Sequence, residues 1–334
     1  MNHLHIWQPL CVRPRWMKWA GLMTLITMAS AGGFGTVVKA RQQGAGQPPV
    51  ATFRSQVELV RVSAIVRNKK GRFVQDLTAQ DFEILEGGRA RTITDCQRDV
   101  PGISVALLLD VSGSMEAQLS NARQAGNHVL SWLDRERDEA AVFSFDTRLV
   151  AISSFVTGMQ TLPEEVKLLT PFGATSLHDA IAQTARRVGA REGRRQAVVV
   201  LTDGWDNASR MSASEVSGIA SSIDVPVYVI GVVSALDNPS TAISTVPVSK
   251  SPLTSSLSDL ASWTGGRTFV VSTTADRSIA ARQLVDELRH QYLIAFESSG
   301  QPGWHPLVVR ARHKDLTVRA RSGYIAGQSR PTSH

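Results

Sequence analysis

The hydrophobic pattern divides the chain into three parts. From residue 56, apolar side chains alternate with polar ones, as in Val60–Arg67, which predicts half-buried strands. At Val105–Leu109 the pattern becomes a continuous apolar run, typical of a strand covered on both faces. After His290 the alternation returns. The pattern therefore predicts an N-terminal β segment over residues 56–100 and a C-terminal β segment over residues 291–326.

Between these segments, strands and helices alternate with short connections. This order predicts an α/β domain over residues 101–290 with a doubly wound, mostly parallel sheet in the strand order 3-2-1-4-5-6. The stretch Leu149–Phe155 is predicted to add an antiparallel edge strand. The other predicted elements are a helix from Met115 to Arg135, a strand at Ala140–Phe145, a helix at Leu177–Val188, a strand at Ala197–Leu201, a helix at Val216–Ile223, a strand at Val225–Val233, a helix at Leu257–Trp263, a strand at Arg267–Val271 and a helix at Ile279–Arg289.

Neither flanking β segment has enough strands to be stable alone, so we predict that the two pair into a small β-sandwich module. In the first segment, Phe82 and Ile84 before Gly87-Gly88, with Ile93 beyond, predict a hairpin. In the second, the stretches Leu307–Arg312 and Leu316–Arg321 predict another. Period two would place four arginines on one face of this last hairpin, either to bind acidic groups or simply as its solvated side; they are Arg310, Arg312, Arg319 and Arg321.

The N-terminus has the pattern of an export signal. Three bases up to Lys18 precede the uncharged stretch Trp19–Ala31. In Val38-Lys39-Ala40, small residues then occupy positions minus three and minus one of a possible cut. We predict a signal peptide over residues 1–40, with a cut after Ala31 or an uncleaved anchor as alternatives, and a Gly/Gln/Pro linker over residues 41–55. Residues 327–334 form a short tail. The protein is therefore expected to be exported, to the periplasm or to the cell surface and beyond, with no transmembrane span after cleavage.

Charge and cysteine content narrow the function classes further. The 334 residues carry a formal net charge of +7, but the predicted signal holds four bases and no acid. The remainder has 32 basic and 29 acidic residues, too even a balance to favour nucleic acid as a partner. Cys96 is the single cysteine after the signal, which excludes an internal disulfide in the cleaved chain.

Oxygen-bearing side chains follow the first buried strand and recur in two later loops. Asp110, Ser112 and Ser114 stand at two-residue steps, Thr175 precedes a predicted helix, and Asp203 follows the strand Ala197–Leu201. Ligand sites of such sheets lie at the carboxyl ends of the strands. Carboxylate and hydroxyl oxygens are ligands for hard cations, so this edge is a candidate metal site. The alternative is that the hydroxyls only cap helices.

These residues resemble the von Willebrand factor A domain and its metal ion-dependent adhesion site. The D-x-S-x-S element, the loop threonine and the T-D-G loop match Asp110, Ser112, Ser114, Thr175 and Asp203, and the resemblance spans roughly Ser104–His290. The flanks are similar to exported bacterial proteins of the same family. The resemblance implies that these five residues hold Mg²⁺, or Mn²⁺ or Ca²⁺, and that a Glu or Asp side chain of a protein partner completes the coordination.

The expected function is therefore cation-dependent protein binding without catalysis. A Mg²⁺-dependent hydrolase is the alternative, because haloacid dehalogenase-like phosphatases also begin with a strand followed by Asp; here Ser112 stands where they carry a second Asp. A structural envelope component stiffened by the metal is a third hypothesis. Near the site, Met115, Phe172 and Trp205 are candidates for an apolar rim that grips a partner, and His178 is expected to be exposed or to cap a helix. The sequence leaves open which cation and which partner bind, and whether the affinity is conformationally regulated.

Overall fold

The computed structural model describes residues 59–98, 101–191, 193–234 and 255–326. The predicted signal peptide, linker and C-terminal tail lie outside these ranges. The helices are α1 (Leu119–Ser131), α2 (Glu165–Leu168), α3 (Leu177–Gly189), α4 (Ala213–Ser222), α5 (Ser255–Trp263) and α6 (Thr274–Arg289). The strands are β1 (Leu59–Asn68), β2 (Phe82–Glu86), β3 (Arg89–Arg91), β4 (Ile93–Gln97), β5 (Ile103–Asp110), β6 (Glu139–Phe145), β7 (Leu149–Ala151), β8 (Val156–Thr157), β9 (Arg195–Thr202), β10 (Val227–Val232), β11 (Thr268–Val271), β12 (Gln291–Glu297), β13 (Gly303–Ala311), β14 (Leu316–Ala320) and β15 (Gly323–Ala326).

A mostly parallel sheet forms the centre of the α/β domain. Its strands lie in the order β11-β10-β9-β5-β6-β7, and β7 and β8 both pair antiparallel with β6. When these six strands are numbered along the chain with β5 as the first, and the order is read from β7 to β11, it is the predicted order 3-2-1-4-5-6. Every residue of β5 is buried, because α1 and α6 cover one face of the sheet and α3, α4 and α5 cover the other. The doubly wound fold is thus confirmed.

The two flanks together build a β-sandwich. One antiparallel sheet has the order β14-β1-β12-β4 and the other the order β15-β13-β2-β3, so each contains strands from both ends of the chain. Apolar side chains from the two sheets meet in one core that includes Val62, Phe82, Tyr292 and Phe296. Cys96 is half-buried at its edge, where burial raises the pKa of the thiol to about 11. The prediction that the flanks pair is confirmed.

The hairpin predicted around Gly87-Gly88 is confirmed, since β2 pairs with β3, but the second predicted hairpin and the place of Ile93 need correction. β13 pairs with β2 and β15, whereas β14 crosses to the opposite sheet and pairs with β1. Ile93 likewise belongs to β4 in that sheet and not to the hairpin of β2 and β3. Alternation of apolar and polar residues shows which face of a strand is buried. Because both sheets of a sandwich have the same alternation, it does not show which sheet a strand joins.

The shared arginine face predicted for the C-terminal hairpin is wrong for the same reason. Arg310 and Arg312 are exposed on the β13 side. Arg319 and Arg321 turn instead toward the α/β domain, where they contact Glu287 and an aspartate of the turn after α4. The four arginines therefore do not form one surface that could bind an acidic ligand.

Buried charges connect the sandwich to the α/β domain. Glu287, on α6, accepts a hydrogen bond from Arg67 at 3.0 Å, one from Arg267 at 3.2 Å, and one from Arg319. Burial disfavours its charge, but the three guanidinium groups outweigh burial and hold the pKa of this carboxyl below its ordinary value. The carboxylate therefore stays ionised and ties β1, β14 and the residue just before β11 to α6.

Candidate metal site

The candidate site lies at the carboxyl edge of the central sheet. β5 ends at Asp110, and its parallel neighbour β9 ends at Thr202, with Leu109 opposite Leu201. The chain leaves β5 through a 3-10 turn, Gly113–Met115, so α1 begins at Leu119 and not at Met115 as predicted. This turn keeps Ser112 and Ser114 beside the strand end and does not carry them into a helix.

Asp110 is fully buried and held by neutral donors. Its Oδ1 accepts the Ser112 backbone N–H at 3.0 Å, and its Oδ2 accepts the Thr202 hydroxyl at 2.6 Å. Burial raises the pKa of Asp110 to about 6; the bonds from Ser112 and Thr202 oppose this increase, and the nearby charge of Asp203 adds to it. These partners are all neutral, so a cation would stabilise the buried carboxylate.

The two serine hydroxyls are adjacent to one another. Ser112 Oγ lies 3.1 Å from Ser114 Oγ; Ser112 is buried, whereas Ser114 is exposed. The structure thus brings together the three oxygen-bearing residues of the D-x-S-x-S element, with the outermost hydroxyl facing solvent.

The loop before α3 is attached to this element through its backbone. Phe172 N–H donates to the Val111 carbonyl at 2.9 Å, and Gly113 N–H donates to the Gly173 carbonyl at 3.0 Å. Gly173 has a φ of +81°, which a residue with a Cβ rarely adopts. The loop then leads to Thr175, which is buried.

Thr175 is joined in turn to the loop after β9. Its N–H donates to Asn207 Oδ1 at 2.8 Å, and its carbonyl accepts the N–H groups of Asn207 and Ala208. Asp203, earlier in that loop, is half-buried, and its Oδ1 lies 3.4 Å from the Trp205 backbone nitrogen. Thr175 and Asp203 therefore stand on loops that border the Asp110 element, without a hydrogen bond to Asp110 itself.

Sequence reasoning missed several residues that shape the site. Thr202 bonds directly to Asp110, and its Oγ1 also accepts the Gly204 N–H at 3.0 Å. Asn207 anchors Thr175. Asp146, at the end of β6, accepts the Ser176 N–H through its carbonyl at 2.8 Å and turns its carboxylate toward Gly173. Thr202 and Asp146 could have been found from the sequence, because each carries a hydroxyl or carboxylate at the carboxyl end of a predicted parallel strand.

The apolar residues proposed as a rim divide into two kinds. Met115, a candidate for the rim, is fully buried in the core at the end of the 3-10 turn and does not belong to a rim. Phe172 is 77% exposed and Trp205 is 57% exposed, and both belong to loops that carry site residues. His178 is neither exposed nor a cap; its Nδ1 lies 3.0 Å from Asp206 Oδ2, and its side chain is largely buried. Asp206 itself caps α3 by accepting the His178 N–H at 2.9 Å.

The donor set fits a hard cation better than a transition metal. Within the described ranges, no three His, Cys, Asp or Glu side chains are arranged to hold a metal. The edge offers instead two carboxylates and several hydroxyls, oxygen donors of the kind that Mg²⁺ and Ca²⁺ take. Asp110 supplies a buried negative charge next to the paired serine hydroxyls, and this chemistry fits the cation that the resemblance implies.

The comparison with known sequences finds a family match within the α/β domain. Residues 105–205 match the sequence profile of the von Willebrand factor type A domain. Domains of the family are often involved in protein–protein interaction and adhesion and are generally not enzymes. No curated protein matches the chain.

Three solved structures illustrate what the chain is similar to, each at low sequence identity and with a TM-score below 0.5. An aerotolerance-related membrane protein from Bacteroides fragilis is 20% identical with a TM-score of 0.43, over 56% of this chain and 98% of that chain. A von Willebrand factor type A protein from Catenulispora acidiphila is 13% identical with a TM-score of 0.45, over 83% and 76%. The PilB minor pilin from Streptococcus sanguinis is 15% identical with a TM-score of 0.40, over 59% and 63%. No helix in the described part of this chain is long and apolar enough to cross a membrane.

Proposed function

We propose that this protein is an exported module that binds a protein partner through a divalent cation, in adhesion or envelope assembly. The observation that carries the proposal is the buried Asp110 carboxylate. Its partners in the described part of the chain are N–H and hydroxyl groups, and it lies next to the adjoining hydroxyls of Ser112 and Ser114. A buried carboxylate without a positive partner is costly, and a cation would remove that cost.

Each residue of the site has a distinct part in this proposal. Asp110 and Asp203 balance the charge of a divalent cation, and Ser112, Ser114 and Thr175 add neutral oxygen donors. Thr202 and Asn207 position Asp110 and Thr175 through the bonds described above. Bound Mg²⁺, or Mn²⁺ or Ca²⁺, would supply a Lewis-acidic position at the protein surface. The exposed side of Ser114 leaves room there for a Glu or Asp side chain of the partner.

Calorimetric titration of the full chain with Mg²⁺ and Mn²⁺ tests the metal site. We expect saturable binding with one cation per chain, lost in Asp110→Asn and weakened in Ser114→Ala. Asp315→Asn is the matched control, because Asp315 is an exposed carboxylate of the sandwich, paired with Lys69. Equal binding by the wild type and Asp110→Asn, or none by either, would reject the site.

Selection from a random peptide library tests the partner chemistry. Peptides that bind the protein in Mg²⁺ and are released by EDTA should contain Asp or Glu, and replacement of that residue by Asn or Gln should abolish binding. Peptides that stay bound in EDTA would show recognition at another surface. A metal that only stiffens the fold would raise the melting temperature and yield no EDTA-sensitive peptides.

The hydrolase alternative has a direct test as well. A phosphatase of the type considered would turn over p-nitrophenyl phosphate in Mg²⁺ and lose that activity in Asp110→Asn. We expect no turnover above that of the Asp110→Asn variant, because Ser112 cannot readily supply the proton that a second Asp gives to the leaving group.

A further inference from the structure

A groove separate from the metal edge lies between the α/β domain and the sandwich. Its volume is about 590 Å³, within the range typical of ligand pockets. One wall comes from α4 and the segment just before it, and the other from Trp263 at the end of α5 and from the strands β13 and β15. The lining residues are Met211, Ser214, Glu215, Ser217, Gly218, Ile219, Trp263, Trp304, Ser322 and Ile325.

Two tryptophans leave large parts of their surface open in this groove. Trp304 is 49% exposed and Trp263 is 38% exposed. The Trp304 indole lies against the backbone of Gly323, where a Cβ would come within 2.3 Å of the ring. On the other side, the Trp263 carbonyl accepts the Ser322 N–H at 2.9 Å. The Trp304 indole is thus held against the Gly323 backbone, and the backbone of Trp263 is bonded to Ser322, while solvent reaches both indoles.

Among the described residues that line the groove, one carries a negative charge and none is basic. Glu215 is the one charged residue among those that line it. The Ser212 N–H and hydroxyl both donate to its Oε2, at 2.7 and 2.8 Å, and these bonds hold the pKa of Glu215 below its ordinary value. Asp179 lies close enough to act on Glu215 electrostatically and adds a second negative charge. The groove is therefore complementary to a cation.

Indole faces and a carboxylate together favour an organic cation. Arginine and lysine side chains bind to the faces of tryptophan rings by cation–π attraction, and their methylene groups pack on apolar surface. One guanidinium or ammonium group fills only part of the groove, and Met211, Ile219 and Ile325 remain for an apolar neighbour. We propose that this groove binds a peptide segment of a second protein that presents an arginine or lysine next to an apolar residue.

The test uses the full chain in EDTA, so that binding at the metal edge does not contribute. The probe is the fluorescent peptide acetyl-Leu-Arg-Leu-Leu-amide. The control is the same peptide with citrulline in place of arginine, because citrulline keeps the shape of arginine without its charge. We expect saturable binding of the arginine peptide, measured by anisotropy, and binding about tenfold weaker for the citrulline peptide, which is the scale of one desolvated cation–π contact.

Two variants and two matched controls locate the binding. Glu215→Gln and Trp304→Ala should each lower the affinity for the arginine peptide about tenfold. Glu165→Gln replaces a glutamate in the first turn of α2, and Trp132→Ala removes a tryptophan that is 41% exposed outside the groove; both should leave the affinity unchanged. Because Glu215 is exposed, its replacement by glutamine tests the charge without disturbing the core.

Three outcomes would overturn this assignment. They are equal affinity for the arginine and citrulline peptides, no effect of Glu215→Gln and Trp304→Ala, and binding of tetramethylammonium without binding of the peptide. Failure of the metal titration leaves this experiment unaffected, since it is carried out in EDTA.

Discussion

Arg321 lies with its Nε 3.6 Å from Oδ1 of Asp224, and this pair joins the sandwich to the turn between α4 and β10. Asp224 also accepts the Ser63 N–H at 3.2 Å and the Ser63 hydroxyl at 2.9 Å. Its backbone has a φ of +55°, a conformation that Asp and Asn tolerate better than most residues. Burial raises the pKa of Asp224, and the charge of Arg321 opposes that increase.

The first prediction concerns this pair. Asp224→Asn keeps the backbone preference but leaves the Arg321 guanidinium buried without a carboxylate. A buried charge that loses its partner typically costs about 3–5 kcal/mol, so the midpoint of urea denaturation should fall markedly. Asp315→Asn breaks the exposed pair with Lys69 and should change stability by less than about 1 kcal/mol. Equal effects of the two substitutions would show that the buried pair adds nothing.

A second prediction follows from Glu287 and gives a pH dependence. Glu287→Gln leaves Arg67, Arg267 and Arg319 without their shared carboxylate, and we expect a loss of about 3–5 kcal/mol at pH 7. Since the folded-state pKa of Glu287 is lowered, its contribution is complete above the ordinary value of 4.5 and disappears as the pH falls through the folded value.

Urea denaturation of the wild type and Glu287→Gln checks this dependence. The difference between their free energies of unfolding should be constant from pH 7 to about 5.5 and should shrink below about 4.5. Glu297→Gln, at the exposed end of β12, is the control and should show little difference at any pH. A difference that grows on acidification would contradict the assigned sign.

The third prediction concerns metal removal. A ligand that binds only the folded protein stabilises it, by about 2.7 kcal/mol at a concentration of one hundred times its Kd. Saturating Mg²⁺ should therefore raise the melting temperature of the wild type, and EDTA should reverse the increase. In Asp110→Asn the melting temperature should not respond to either addition. The same Mg²⁺ response in both proteins would place the cation elsewhere.

The fourth prediction separates partner contact from metal binding. Trp205→Ala and Phe172→Ala remove the exposed aromatic residues of the loops that carry Asp203 and Thr175. If these side chains contact the partner, each substitution should weaken the binding of an EDTA-sensitive peptide by about 1–2 kcal/mol, with no change in the Mg²⁺ affinity. Leu168→Ala is the control, because Leu168 is 81% exposed on α2. Unchanged peptide affinity in both variants would reject the rim.

The central sheet was predictable because burial on both faces leaves a clear mark in the sequence. A continuous apolar run such as Val105–Leu109 cannot belong to a strand with one solvated face, and its alternation with helices restricts the topology. The carboxyl edge of such a sheet is where ligands bind, so the strand ends indicated the position of Asp110.

The sandwich and the finer site geometry were less predictable, because both depend on contacts between distant segments. The sequence near Arg319 and Arg321 does not reveal that Glu287 and Asp224 face them from the other domain. Similarly, the sequence places Thr202 at the end of a strand but does not reveal its partner. Its hydroxyl donates to Asp110 only because β9 lies beside β5 in the folded sheet. Period and propensity describe single elements, whereas these bonds join elements far apart in the chain.

The pairing of the flanks also determines the order in which the protein can be completed during synthesis. Val60 in β1 pairs with Phe296 in β12, and Ile84 in β2 pairs with Val309 in β13, so the whole α/β domain is translated between the partners. The first strands therefore wait unpaired until the last ones emerge, with apolar side chains such as Val62 and Phe82 uncovered. A chain that stops before Gln291 would hold its α/β elements but leave those strands without partners, open to aggregation or to a chaperone.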